Sequence, residues 1–234
     1  MIGKGWVIAI GGNENKRGGK QSILAEFVRL AGGSEARVVI IPSASVEPVR
    51  RAARYRKLFS KLGAASVIAI HAENGVTPDE LLLIENASGI FVTGGDQARL
   101  MEHLRGTGAA QSIVNAVRGG AVYAGTSAGA SAVSERMIVG REQPDGSEIV
   151  EVCEGLGLVP GAIVDQHFRE RDRLGRLLSV VRDQRLHGVG IDEDTAVVWR
   201  ANGEMRVSGR GSVTVIDPAI SRHLLLTDGA TTTV

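Results

Sequence analysis

A single cysteine, Cys153, stands among the 234 residues, so no disulfide can form within the chain and no cysteine cluster exists for a structural zinc site. A reducing, cytoplasmic setting is the expectation. Aromatic residues make up only 3% of the chain, which leaves Val, Ile, Leu and Ala to build the core. An excess of either sign of charge is missing too. With 27 basic and 26 acidic residues the net charge is +1, and no overall field draws the chain to nucleic acid or to a membrane surface. No apolar run approaches the roughly 20 residues of a membrane span. The first apolar run, Trp6 to Ile10, is interrupted by Gly11-Gly12 too early for a secretory signal. No metal-ligand spacing surrounds His167, and neither a metal nor another cofactor is expected.

What is present is 43% hydrophobic residues and 31 glycines, enough for a sizeable core joined by many tight turns. A single domain over residues 1–234 is the simplest division. Trp6–Ile10 reads as a buried parallel strand emptying into Gly-Gly, and Gln21–Leu30 as a helix. Arg37–Ile41 is the next strand, followed by a basic amphipathic helix from about Glu47 to Leu62 that Gly63 closes. Ser66–Ile70, Gly89–Thr93 and the run around Ala121–Ala124 add strands. Helices are expected over Pro78–Glu85, from Gln97 to about Leu104, and over Ala109–Arg118. Such alternation predicts an α/β fold: a mostly parallel sheet with helices on both faces.

The pattern loosens between Gly140 and Gly157, where Gln143-Pro-Asp-Gly146 is a turn signal inside an expected surface loop. Ala162–Asp165 is a short strand. The spacing of Leu174, Leu177, Leu178 and Val181 marks one apolar face of a helix from about Asp172 to Leu186. Gly188–Ile191 and Thr195–Trp199 flank three acids. Met205–Val207, Ser212–Ile216 and His223–Leu226 read as an antiparallel C-terminal edge, after which come the polar residues Thr231, Thr232 and Thr233.

Chemistry concentrates at Gly125-Thr-Ser-Ala-Gly129, a G-x-S-x-G stretch directly after an apolar run. A serine on a sharp strand-to-helix turn is exposed at the carboxyl edge of a sheet, with the next N–H free for an oxyanion. Taken alone the stretch is equally a Gly/Ser turn. Ser127 as nucleophile needs a base and a group to orient it. Of the five histidines, His167 leaves a strand within Asp165-Gln-His-Phe168 at the same edge. His71 also ends a strand, whereas His103, His187 and His223 lie in helical, capping or terminal positions. The orienting carboxylate should come from Asp192, Glu193 or Asp194, and strand alternation puts Glu193 on the face opposite its neighbours. The order Ser, His, acid argues against an α/β-hydrolase, whose order is Ser, acid, His.

These blocks carry a resemblance. Gly94-Gly-Asp-Gln97, Gly125-Thr-Ser-Ala-Gly-Ala130, Asp165 to Leu177 with its spaced arginines, and Gly190-Ile-Asp-Glu-Asp-Thr-Ala196 resemble the cyanophycinases. These belong to a serine-peptidase family that also contains α-aspartyl dipeptidases. The likeness runs from about residue 5 to about 216. It implies a flavodoxin-like fold related to class I glutamine amidotransferases, with Ser127 as nucleophile, His167 as base and Glu193 orienting it. It further implies an oxyanion hole at the Gly95 and Ala128 N–H groups. Gln97, Asp165, Gln166, Arg171, Arg173 and Arg176 match the substrate-binding positions. The substrate implied is cyanophycin, a poly-aspartate whose β-carboxyls carry arginine, released as β-aspartyl-arginine dipeptides by an exopeptidase; a homodimer is implied as well.

Arginine forks suit a ligand rich in carboxylates, and an acid such as Asp165 suits its guanidinium groups. The expected place for Arg173 and Arg176 is the polar, exposed face of the helix after His167. Two other readings compete. One is a dipeptidase acting on α-aspartyl peptides. The other is a catalytically silent anion- or small-molecule-binding module that receives its ligand at Gly11-Gly12 or Gly94-Gly95.

Overall fold

The computed structural model describes residues 4–15, 22–142, 148–200, 202–219 and 223–233. Its first half follows the expected alternation: β1 (Trp6–Ile10), α1 (Ile23–Leu30), β2 (Arg37–Ile41), α2 (Pro48–Lys61), β3 (Ser66–Ala69), α3 (Pro78–Glu85), β4 (Gly89–Val92), α4 (Gln97–Gly106), α5 (Ala109–Gly119), β5 (Val122–Thr126) and the single turn α6 (Ala128–Ser131). The second half contributes β6 (Arg136–Glu142), β7 (Glu148–Glu154), β8 (Ala162–Gln166), α7 (Leu174–Gln184), β9 (His187–Ile191), β10 (Thr195–Trp199), β11 (Glu204–Gly209), β12 (Val213–Ile216), β13 (His223–Leu226) and β14 (Thr231–Thr233).

Helix starts are set by side chains that satisfy otherwise orphaned N–H groups. Ser22 accepts from Ala25 at the head of α1, Asp96 from Arg99 at the head of α4, and Thr77 forms a reciprocal capping box with Glu80 at α3. Pro48 opens α2, where a missing N–H costs nothing.

The large sheet runs β14-β11-β10-β1-β5-β4-β2-β3. β1, β5, β4, β2 and β3 are parallel, and β10, β11 and β14 extend one side antiparallel. Strand alternation divides its side chains between two cores. Ile8, Ile10, Ile40 and Phe91 pack under α1 and α2, while Val7, Ala9, Ile41, Val92 and Tyr123 pack under α3, α4 and α5. The scarce aromatics are concentrated under α1 and α2, where Phe27, Tyr55, Phe59 and Phe91 form one cluster with neighbouring centroids 4.5–5.9 Å apart. Burying each such ring or branched side chain contributes roughly 1.5–3 kcal/mol before conformational entropy is set against it.

Three features correct the expectations. The C-terminal strands do not make one edge, because β12 and β13 join β9 and β8 in a second sheet of order β13-β12-β9-β8, and α7 packs on its outer face through Leu177 and Val181. The stretch after Gly140 is not an open loop; β6 and β7 pair in register from Arg136↔Glu154 to Glu142↔Glu148. The turn signal at residues 143–146 lies outside the described residues. Thr231–Thr233 is a strand, paired with β11, although its polar sequence carries no apolar alternation. Among the described residues no helix is long and apolar enough to cross a membrane.

Candidate active site

The carboxyl ends of the parallel strands of both sheets converge. From β5 the chain turns sharply into α6 at Ser127, whose φ of 53° and ψ of −110° are unusual for a residue with a side chain. Such a conformation costs on the order of 1–3 kcal/mol and persists only where its surroundings hold it. Here the Ser127 N–H donates to the Ile10 carbonyl at 3.0 Å, and its own carbonyl accepts from Ala130 and Ser131. The two glycines of the motif permit close packing: a Cβ on Gly125 would stand 2.2 Å from the Gly129 carbonyl oxygen, and one on Gly129 2.4 Å from that of Val92.

His167 follows β8 with φ 48°, and its N–H donates to the Gly11 carbonyl at 2.8 Å. That bond ties the second sheet to the loop after β1. His167 Nε2 lies 3.1 Å from Ser127 Oγ, and Nδ1 lies 2.6 Å from Glu193 Oε1. Glu193 follows β9; its Oε2 accepts from Asn13 Nδ2 at 2.9 Å, and its backbone N–H donates to Glu170 at 3.2 Å. Hydroxyl, imidazole and carboxylate therefore form one hydrogen-bonded chain, with Asn13 behind the acid.

The neighbouring acids have other partners. Asp192 is buried and accepts from the Ser212 N–H and hydroxyl, while Asp194 accepts from the Asn15 N–H. His71 pairs with Glu73 at 2.9 Å. His103, His187 and His223 line neither cavity beside Ser127.

Burial holds the His167 imidazole below its ordinary value, assisted by the charge of Arg171 and opposed by the bond to Glu193. Burial would raise the Glu193 carboxyl, but hydrogen bonds from Asn13 and His167 overcome it and leave the group below the usual carboxylate range. The resting pair is neutral imidazole beside carboxylate, the state needed to take a proton from Ser127.

Two cavities meet at Ser127. One, of about 310 Å³, is lined by Gly95, Asp96, Gln97, Gln166, Val139, Gly140 and the arginines 171, 173 and 176. Gln97 is oriented by its bond to the Ile138 carbonyl, and Gln166 Oε1 lies 3.3 Å from Ser127 Oγ. Asp165 is not in this wall. It lies beneath it, 0% exposed, and its carboxylate accepts from Arg173 and, through Nε and Nη2, from Arg176 in a two-point contact. Arg173 and Arg176 are only 11% and 7% exposed. The expected solvated helix face is thus corrected, since a buried acid draws both side chains inward.

The second cavity, of about 370 Å³, holds His167 and Glu193 together with Gly12, Asn13, Glu14, Arg51, Arg54 and Tyr55. Glu14, 3% exposed, accepts from Tyr55 Oη and from Thr126 Oγ1. Gly95 borders both cavities, and Ala128 follows Ser127 at the first position of α6. Among the described residues no backbone carbonyl accepts from either of their N–H groups. Sequence reasoning passed over Asn13, Glu14, Glu170, Arg51 and Arg54. For Asn13 and Glu14 the signal was their place directly after the glycines that end β1, and for Arg51 and Arg54 the basic character of their helix.

Comparison with known proteins identifies the family and the fold. The model of peptidase family S51 matches residues 7–207. A cyanophycinase of Trichormus variabilis is 44% identical over 226 residues, covering 93% of this chain and 75% of that protein. One from Synechococcus elongatus is 41% identical over 92% of this chain and 69% of its own length. Peptidase E of Streptomyces coelicolor is 32% identical over 76% of this chain and 70% of that one. A peptidase from an acI-B1 Actinobacterium, known from its crystal structure, shares the fold with a TM-score of 0.75 at 21% identity, over 98% of this chain and 97% of the other. The fold is thereby the flavodoxin-like α/β architecture. The chain belongs to peptidase family S51 and is a hydrolase of the serine-peptidase type.

Proposed function

We propose that the chain is a cyanophycinase acting through Ser127, His167 and Glu193 and releasing β-aspartyl-arginine dipeptides. The observation that carries the catalytic part is the hydrogen-bonded run from Ser127 Oγ through the imidazole to Glu193. His167 Nε2 takes the hydroxyl proton as Oγ attacks the scissile carbonyl carbon. The negative oxygen so formed is stabilised by the Gly95 and Ala128 N–H groups. The C–N bond then breaks, the proton passes from His167 to the departing nitrogen, and water repeats the sequence to free Ser127. Glu193 keeps the imidazole in the required tautomer and stays ionised throughout.

The substrate follows from the 310 Å³ cavity beside Ser127. Arg171, Arg173, Arg176 and Gln97 present donors suited to carboxylates, with Gln166 between them and the nucleophile. Asp165 acts from beneath, by fixing the forks of Arg173 and Arg176. The curated relatives at 41–44% identity carry the name cyanophycinase, which supports the polymer as substrate.

The Peptidase E relative supports a second reading, hydrolysis of short α-aspartyl peptides. A silent anion-binding module is disfavoured, since Gly12 packs on His167 and the acid Asp96 caps the helix after Gly94-Gly95. The test is to compare kcat/KM on purified cyanophycin with that on Asp-X dipeptides. A higher value on the polymer, with a soluble product of β-aspartyl-arginine mass, is expected. Preference for the dipeptides would favour the second reading.

A further inference from the structure

The basic helix α2 has no part in the reaction as derived so far. Its sequence, Pro-Val-Arg-Arg-Ala-Ala-Arg-Tyr-Arg-Lys-Leu-Phe-Ser-Lys, holds six cationic residues and no acid, in a chain whose net charge is only +1. Arg51 and Arg54, spaced i and i+3, share one face of the helix and both line the 370 Å³ cavity. They also line an adjoining 190 Å³ hollow with Glu47 and Arg50, but there Glu47 pairs with Arg50. Among the described residues neither Arg51 nor Arg54 is in an ion pair. Two like charges held a turn apart repel, and an anion bound between them removes that cost.

The two cavities are not equivalent with respect to the reaction. Both contain Ser127 and Gly95, but only the larger contains His167 and Glu193. In acyl transfer by a serine, the base that accepts the hydroxyl proton delivers it to the departing nitrogen, so the departing group must lie on the imidazole side. The acyl half of the substrate then occupies the 310 Å³ cavity on the other side of Ser127.

We infer that the cavity on the imidazole side is the leaving-group pocket, and that Arg51 and Arg54 hold a carboxylate of the amine product there. This rests on the serine-peptidase reading proposed above. The lining of the pocket suits the same ligand. Glu14, buried and bonded to Tyr55 Oη and Thr126 Oγ1, lines the same cavity as the two guanidinium groups, so an acid and two cationic forks share its wall. A departing β-aspartyl-arginine unit has both signs of charge: carboxylates at the aspartyl terminus and on the arginine, and a guanidinium. Guanidinium forks recognise carboxylate with two parallel bonds, which a lysine cannot supply.

The test uses two substrates with the same acyl half. One is a peptide of two β-aspartyl-arginine units; the other is the ethyl ester of a single unit, whose leaving group has no carboxylate. In Arg51→Gln and Arg54→Gln the ratio of peptide to ester kcat/KM is expected to fall about 10-fold or more. Arg56→Gln, an exposed change on the same helix that lines neither cavity, should keep the wild-type ratio. A second readout is the fate of the acyl-enzyme formed from the ester. Added β-aspartyl-arginine should compete with water for it, its amine attacking the acyl carbonyl as Ser127 leaves, and the two variants should lose that competition. Ratios equal to wild type, or a parallel loss on both substrates, overturn the assignment of Arg51 and Arg54. Wild-type protein that cleaves neither substrate overturns the proposed function itself, which is a different result from an unchanged ratio.

Discussion

Gly12 faces the His167 imidazole so closely that a Cβ placed on it would stand 2.2 Å from Cε1 and 2.5 Å from Nε2. Gly12 also has φ +104°, a conformation that residues with side chains rarely adopt. The Gly12→Ala variant should therefore push the imidazole out of reach of Ser127. We expect kcat to fall by about 100-fold or more in a protein that retains its helical circular dichroism, whereas unaltered kcat would show that the ring position in the structure is not the working one.

Asn13 extends the same chain one step further. Its amide donates to Glu193 Oε2 and helps to hold that carboxyl below the ordinary range. Asn13→Ala should lower kcat/KM roughly 3- to 10-fold, consistent with losing about 1 kcal/mol of hydrogen bonding to a charged group that stays partly solvated. Steady-state kinetics on cyanophycin would check it. A loss as large as that of removing Glu193 itself would assign Asn13 a larger part than orientation of the acid.

The pH profile follows from the direction of the His167 shift. The base must be neutral to accept a proton, and burial holds it below the ordinary imidazole value of about 6.5. The acid limb of kcat/KM should therefore fall below pH 6.5. Removing a positive neighbour raises the imidazole value, so Arg171→Gln should move that limb to higher pH. Glu193→Gln removes the group that favours protonation and should move it lower. Movement of both variants in one direction would contradict this account.

Arg173 and Arg176 were expected from the sequence to meet substrate from an exposed helix face, where substitution would hardly change stability, and Asp165 to meet it from the end of a strand. The buried contact reverses that expectation. Asp165→Asn leaves two poorly exposed guanidinium groups without their acid, a change that costs about 3–5 kcal/mol. For a chain of this size the melting temperature should drop by about 10 °C. Calorimetry of Asp165→Asn beside wild type reads this directly, and an unchanged melting temperature would mean that the pair contributes nothing to the fold.

The difference between what was legible and what was not is physical. Strands β1, β2, β4 and β5 are buried on both faces along most of their length, so their apolar runs stand out, as do the glycines that follow β1 and β4. Ser127, His167 and Glu193 could be picked out as candidates because each stands just beyond the end of a buried strand, β5, β8 or β9. β6 and β7 form a two-stranded hairpin with charged residues interspersed, and β14 is three threonines on an edge; neither has the apolar contrast that marks a buried strand. The division of the C-terminal strands between two sheets depends on pairing across long sequence separations. Arg51 and Arg54 read as part of a basic amphipathic helix, because the burial of Ala52, Tyr55, Leu58 and Phe59 that places them beside the Ser127 cavity is a tertiary feature.

The central claim is that Ser127, His167 and Glu193 act as one unit on cyanophycin. Its most direct test is turnover of purified cyanophycin by wild type and by Ser127→Ala at equal concentration, with the soluble products identified by mass. The expected result is β-aspartyl-arginine from the wild type and a rate lower by roughly 10⁴-fold or more from the variant. Undiminished release of that dipeptide by Ser127→Ala would contradict it.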